Sequence, residues 1–427
     1  MNNIDSIIKE IDNYKIHLIK TTKFKTISVK ICFKRKLEKE DIIKRNLLAD
    51  ILIMSNSKYK NKQELEKKCE ELFGFNLSIN NKKIGNHTVL NIDASFLNEK
   101  YTEIGMNKES IEFIKDILLY PDVIDNAFNK NAFELVKRAF KEDVMSITEN
   151  ATNLGIIKMR RYMDENSLFS MHPLFLIDEL DKITSSDLYN YYLDMINNDE
   201  VDIYILGDID ENIIDNFSNL NIGSIFENRE SYIVEHDTFR DKENIVVDES
   251  NFNQSKLSII FKLKDLTDFE RKYVLYVYSF ILGGTAGSIL FKKLRLDNSL
   301  CYYVNSNYNY LYNVLEIMAG INSKTFDKSV SLIKEAMNDI KNNNYDEEEI
   351  DNAKMTYINA LLDMIDSPFG IISSVLASDY YGADALEEKM EQIKKVTKQD
   401  LASLSNKIII DTIYLLKGAN ENEENWI

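Results

Sequence analysis

The sequence predicts an α+β protein made of two similar halves. Three observations carry this. Short runs alternate apolar and polar residues with period two, as half-buried strands do: Ile27, Val29, Ile31 and Phe33 in one place, Leu257, Ile259 and Phe261 in another. Helix-periodic segments come in clusters between such runs and not in strict alternation with them, the pattern of segregated helices and strands. Finally, a segment recurs at about half the chain length. Lys182-Ile-Thr-Ser-Ser-Asp-Leu188 leads through a helix into Val201–Gly207, and Lys395-Val-Thr-Lys-Gln-Asp-Leu401 leads through a helix into Thr412–Gly418. In each copy a Thr is placed to cap the helix, an Asp stands three residues later, and the strand ends in Gly.

Taken in order, Lys15–Ile19 is expected to be the hairpin neighbour of the strand around Ile27–Phe33. Asp41 can cap a helix carrying Ile43, Leu47, Leu48, Ile51 and Leu52. A second helix with Leu65, Cys69, Leu72 and Phe73 stops at Gly74. Leu77–Asn81 and His87–Phe96 read as strands. Helices follow over 107–119, closed by Pro121, and over 127–148, 150–164 and 185–196, before the strand Val201–Leu206. The polar, patternless stretch 218–243 is taken as a linker. The expected domains are therefore 1–217 and 244–427. In the second, 267–282 is a buried helix, 300–304 and 314–321 are strands, and Phe326, Val330, Ile333, Met337 and Ile340 form an amphipathic stripe. Helices over 347–365 and 398–406 lead to the strand 411–416.

Composition bounds the function. The 427 residues are 44% hydrophobic and 29% charged, which suits a globular chain with a real core, and too long for one ordinary domain. Acidic residues outnumber basic ones 70 to 52, a net charge of -18, which speaks against duplex nucleic acid or anionic membrane as partners. The three cysteines, Cys32, Cys69 and Cys301, show no CxxC spacing, as expected of a reducing cytosol. No apolar run approaches the roughly 18–20 residues of a spanning helix, and the N-terminus lacks a signal-peptide pattern. A soluble, intracellular, cytoplasmic protein is expected.

The stretch Ile281–Tyr303, ILGGTAGSILFKKLRLDNSLCYY, is the most informative. Gly283-Gly284 closes an apolar segment, and Ser288 can cap a short helix, Ile289–Leu294. Arg295 follows it, with Tyr302 seven residues on in a β-prone run. A guanidinium and a phenol, both donors, can converge there on a peptide carbonyl or carboxylate. The stretch resembles the C-terminal-half signature of the insulinase–pitrilysin zinc metallopeptidase family, that of the mitochondrial processing peptidase. Leu72–Ile79, His172-Pro173 and Ile205–Ile209 are similar to other landmarks of that family. The resemblance implies an antiparallel sheet under helices in each half, two halves forming one side of a clamshell, and Arg295 and Tyr302 as binders of substrate backbone.

Active members carry HxxEH on the first helix, two zinc-binding imidazoles at i and i+4 with a water-activating Glu, and an acid on a later helix. Here that box falls on Asn46-Leu47-Leu48-Ala49-Asp50. Both histidines and the Glu are absent, and Glu142 or Asp143 stands near the later acid. His17, His87, His172 and His236 are far apart in sequence. No P-loop, CxxC or GxSxG pattern is present. The tyrosines at 302, 303, 308, 310 and 312 can form a peptide-binding face or simply pack. The expectation is a chain that is not an enzyme by itself and holds no metal. It would be the non-catalytic subunit of a heterodimeric zinc peptidase, paired with a homologous HxxEH-bearing subunit that carries the zinc and acting on a peptide or precursor peptide. A homodimer is open on sequence grounds. The alternative is a non-proteolytic scaffold or peptide-presenting subunit of a maturation complex, such as those of elongation factor P modification or peptide-antibiotic maturation.

Overall fold

A computed structural model describes residues 6–225 and 231–419. The strands are β1 (Ser6–Ile11), β2 (Tyr14–Lys20), β3 (Thr26–Lys36), β4 (Asn76–Ile84), β5 (His87–Leu97), a two-residue ladder of β6 (Val123–Ile124) and β7 (Ala127–Phe128), β8 (Glu200–Gly207), β9 (Asn244–Glu249), β10 (Ser255–Leu263), β11 (Cys301–Asn309), β12 (Val314–Ile321) and β13 (Ile408–Lys417). The helices are α1 (Asp41–Leu52), α2 (Lys62–Glu71), α3 (Met106–Leu119), α4 (Lys130–Ser146), α5 (Ala151–Met163), α6 (Ile177–Leu180), α7 (Ser185–Asn198), α8 (Leu275–Ser279), α9 (Phe326–Lys341), α10 (Glu347–Met364), α11 (Pro368–Tyr381), α12 (Leu386–Lys395) and α13 (Lys398–Leu404).

Two sheets result, ordered β1-β2-β8-β3-β5-β4 and β11-β12-β10-β13-β9. Each is antiparallel except for one pair, β2–β8 in the first and β9–β13 in the second. From the parallel pair inward, β2-β8-β3-β5-β4 and β9-β13-β10-β12-β11 are the same topology, so the internal repeat extends to the whole sheet. The repeated helices α7 and α13 both open with a capping box, Thr184 with Asp187 and Thr397 with Asp400. One strand pairing differs from expectation. β2 does not form a hairpin with β3, because β8 lies between them and pairs with both.

The chain folds into two compact units, and this division differs from the simple one expected at 1–217 and 244–427. One unit takes the residues up to Met145 together with His172–Tyr232 and Asp366–Ala377. The other takes Ser146–Met171, Ile233–Ile365 and the residues from Ser378 on. The exchanged segments carry α5 and most of α11. The reason lies in the sheets. On β3 one face buries Ile27, Val29, Ile31 and Phe33 in a helix-covered core, but Ser28, Lys30, Cys32 and Lys34 on the other face are buried as well. Among the elements of that unit, the 366–377 segment reaches this face, with Lys30 Nζ 5.8 Å from the Phe369 ring centre. On β10, Ser258, Ile260 and Lys262 are likewise buried opposite the main core, and α5 packs against β10 and β13. Arg160 of α5 grips Glu316 with two hydrogen bonds of 2.7 and 2.8 Å, and Lys158 reaches Asp248 at 2.8 Å. A sheet buried on both faces needs two helical layers.

The first unit is pinned by Arg45, which has no solvent exposure. From α1 its Nη1 donates to the Phe33 carbonyl of β3 at 2.9 Å, its Nε to Tyr191 of α7 at 3.1 Å, and its Nη2 to Asp199 at the end of α7. Asp199 is equally buried and also takes Arg35. Removing one member of a buried charge network leaves the rest uncompensated, at about 3–5 kcal/mol. Arg45→Met is expected to lower the unfolding transition of this unit by that order in denaturant titrations, and adding Asp199→Leu to recover part of the loss.

Candidate functional site

α1 is helical because Ile42, Ile43, Leu47, Leu48, Ile51 and Leu52 repeat at helical spacing and are all buried, and Arg45 fixes its position. That presents Asn46 and Asp50, one turn apart, on one half-buried face. The Asn46 amide nitrogen donates back to the Ile42 carbonyl at 2.7 Å. Ala49 contributes a buried methyl group. Burial pushes the Asp50 carboxyl up to about 6, and the negative charge of Asp143 on α4 adds to the rise. Glu142 and Asp143 are both exposed, and of the two it is Asp143 whose charge acts on Asp50. The residues do not suit zinc. An amide engaged with its own helix, a methyl and an acid replace two imidazoles and a general base. Among the described residues no group of three or more His, Cys, Asp and Glu is arranged to hold a metal ion.

The histidines each have separate work. His17 Nε2 lies 3.0 Å from buried Asp202, which also takes Lys34 at 2.6 Å. His87 stacks on Tyr232 with ring centres 4.1 Å apart. His172 Nδ1 accepts from the Leu174 amide at 3.1 Å, capping the turn at Pro173. His236 hydrogen-bonds the Tyr312 carbonyl, and burial lowers its pKa.

In the second unit, Gly283 sits where a Cβ would lie 2.7 Å from the Ser306 amide of β11, so the turn can approach that strand only with glycine. The expected Ser288 cap is not made. Its Oγ is buried without a hydrogen bond, and Thr285 organises the turn instead, its Oγ1 accepting from the Gly287 amide and its carbonyl from the Ser288 amide. After a short turn at 289–290, Phe291–Leu296 winds as a π-helix. Arg295 leaves its end exposed, its guanidinium carbon 5.1 Å from the Phe291 ring centre and 5.4 Å from that of Tyr302. Arg295 and Tyr302 thus meet in a cation–π stack. Tyr302 is 67% exposed, at a register shift on β11, the open edge of the sheet. Bulges of this kind re-aim side chains. Among the described residues no carboxylate pairs with Arg295. The five tyrosines do not form one face: Tyr308 and Tyr312 are buried, Tyr303 and Tyr310 partly so, and Tyr302 alone is exposed.

Residues 182–357 match the family model described as "Peptidase M16 inactive domain". A curated relative, the "Probable inactive metalloprotease YmfF" of Bacillus subtilis, is 27% identical over 410 residues, 94% of this chain and 95% of that protein. The "Non-peptidase homolog YmxG" of Helicobacter pylori is 25% identical over 273 residues, 62% of this chain and 59% of that protein. The crystal structure of a conserved protein from Enterococcus faecalis V583 matches 98% of this chain and 100% of its own, with TM-score 0.91 at 23% identity. The chain is thus similar to proteins named inactive or non-peptidase homologues of M16-type metallopeptidases.

The raised Asp50 carboxyl has a stability consequence. Its folded pKa lies above the unfolded one, so the fold holds the extra proton and stability falls as pH rises from about 4 through about 6. Solvent access reduces the effect to about 1 kcal/mol. Asp50→Asn is expected to raise the melting temperature at pH 8 and to lose that advantage below about pH 4. An equal gain at both pH values would place its origin elsewhere.

Proposed function

We propose that this chain is the non-catalytic subunit of a heterodimeric zinc peptidase and offers Arg295 and Tyr302 to the backbone of a peptide substrate. A homologous partner with an intact HxxEH box would carry the zinc, and this chain would close the other side of the chamber. The supporting observation is the Arg295–Tyr302 pair itself. An exposed guanidinium stacked on an exposed phenol, with no carboxylate to neutralise it, is a ready donor pair for a carbonyl or a developing oxyanion. The π-helical winding under Arg295 is a rare conformation that concentrates at functional sites. The open β11 edge beside Tyr302 adds a row of backbone groups on which an extended peptide can pair. None of the three cysteines forms a disulfide among the described residues, in keeping with a cytoplasmic location.

Two measurements test this reading. Metal analysis of the purified chain is expected to find no stoichiometric zinc and no chelator-sensitive peptidase activity. In the reconstituted pair, Arg295→Ala and Tyr302→Phe in this chain are expected to slow cleavage by the partner on the order of a hundredfold, with assembly and melting temperature unchanged. Arg295→Lys should rescue little, because Lys lacks the planar fork. Wild-type turnover in both variants would leave a scaffold role instead.

A further inference from the structure

The second unit contains a lysine held in a way that no ion pair explains. Lys389, on α12, is half-buried, with its Nζ 4.8 Å from the Tyr276 ring centre of α8 and 5.6 Å from that of Tyr357 of α10. These two rings stack on each other at 4.8 Å, and Tyr308 meets Tyr276 edge-on at 4.9 Å. Among the described residues the Lys389 ammonium has neither a hydrogen bond nor an ion pair. Its neighbouring carboxylate, Asp384, is already committed. Lys272 donates to Asp384 Oδ1 at 3.0 Å and the Tyr273 hydroxyl donates to Oδ2. The groups around Lys389 are therefore Lys272, Tyr273 and Tyr276 from the 270–279 helix, Tyr357 from α10, and Asp384 from the loop before α12. A lysine desolvated against aromatic rings and beside a second cation is in the environment that turns an ammonium into a nucleophilic amine.

We propose that Lys389 is a covalent modification site, the acceptor of an acyl group from a small activated donor such as an acyl phosphate. The neutral ε-amine attacks the acyl carbon. The C–N bond forms, the acyl–oxygen bond breaks, phosphate leaves with the bonding electron pair, and the amine's surplus proton goes to solvent. The product is an amide that no longer carries charge over Tyr276 and Tyr357. Burial, with Lys272 adding to it against the opposing pull of Asp384, lowers the Lys389 pKa to about 8. At neutral pH this raises the neutral fraction roughly two-hundredfold over an ordinary lysine. The weaker nucleophilicity of a less basic amine reduces the net gain to about tenfold.

The experiment incubates the full chain with limiting acetyl phosphate and follows each lysine by peptide mass mapping. Lys62, whose side chain is 66% exposed, serves as the reference. Acetylation of Lys389 is expected to be about tenfold faster than that of Lys62 at neutral pH and to level off above about pH 8, while Lys62 continues to accelerate. Lys272→Met, which removes the neighbouring cation and frees an oxygen of Asp384, should slow Lys389 several-fold while the melting temperature stays near wild type. The proposal is overturned if Lys389 reacts no faster than Lys62 or follows its pH profile in parallel. It is equally overturned if a folded Lys272→Met chain reacts at the wild-type rate.

Discussion

The buried Arg45–Asp199 pair is the constraint on which the first unit depends. A charge without solvent exposure is tolerable only if every donor finds an acceptor, and the guanidinium finds three at once, on β3, on α7 and at the α7 terminus. Because those acceptors come from β3 and from α7 and its C-cap, the pair fixes where α1 lies on the sheet. α1 in turn fixes Asn46, Ala49 and Asp50, the positions onto which the resemblance places the zinc box. An amide bonded to its own helix and a buried methyl are stable occupants of positions 46 and 49, while Asp50 carries the cost of a desolvated carboxyl.

The second organising feature is that each sheet is buried on both faces. Polar residues then line a face without water, and they are paired: Lys34 with Asp202 on one sheet, Lys262 with Asp411 at 3.1 Å on the other. The covering helices come from segments that the contacts group across the midpoint of the sequence. The repeat is therefore one of topology and of ion pairing, more than of residue identity.

Much of this was legible beforehand. Period-two alternation located β3 and β10, and the Thr-x-x-Asp boxes located α7 and α13, because local hydrogen bonding and burial write directly into the sequence. The Gly283–Tyr302 stretch announced the Arg295–Tyr302 convergence, since a glycine turn, a short helix and a strand leave little freedom between them. The failures share one cause, which is that long-range partners leave no local signal. Lys30 reads as a solvent-facing residue until the segment carrying Phe369 reaches it, and Lys34 until Asp202 of β8 pairs with it. Arg45 reads as a surface cation until Asp199 arrives from the far end of α7. The β2–β3 hairpin fails because β8, remote in sequence, separates the two strands. Ser288 looks like a cap, but Thr285 reaches the free amides first. Of the two acids at 142 and 143, helical phase alone did not choose, and only the charge of Asp143 acts on Asp50.

The central proposal is that α1 keeps the framework of a zinc-binding box at Asn46, Ala49 and Asp50 without its ligands. The most direct measurement is to install them, Asn46→His, Ala49→Glu and Asp50→His together, and to titrate zinc into the folded variant with a metal-release assay. Stoichiometric, chelatable zinc in the variant, absent from the parent and weakened by Asp143→Ala, is the predicted result. A folded variant that binds no more zinc than the parent would contradict the account.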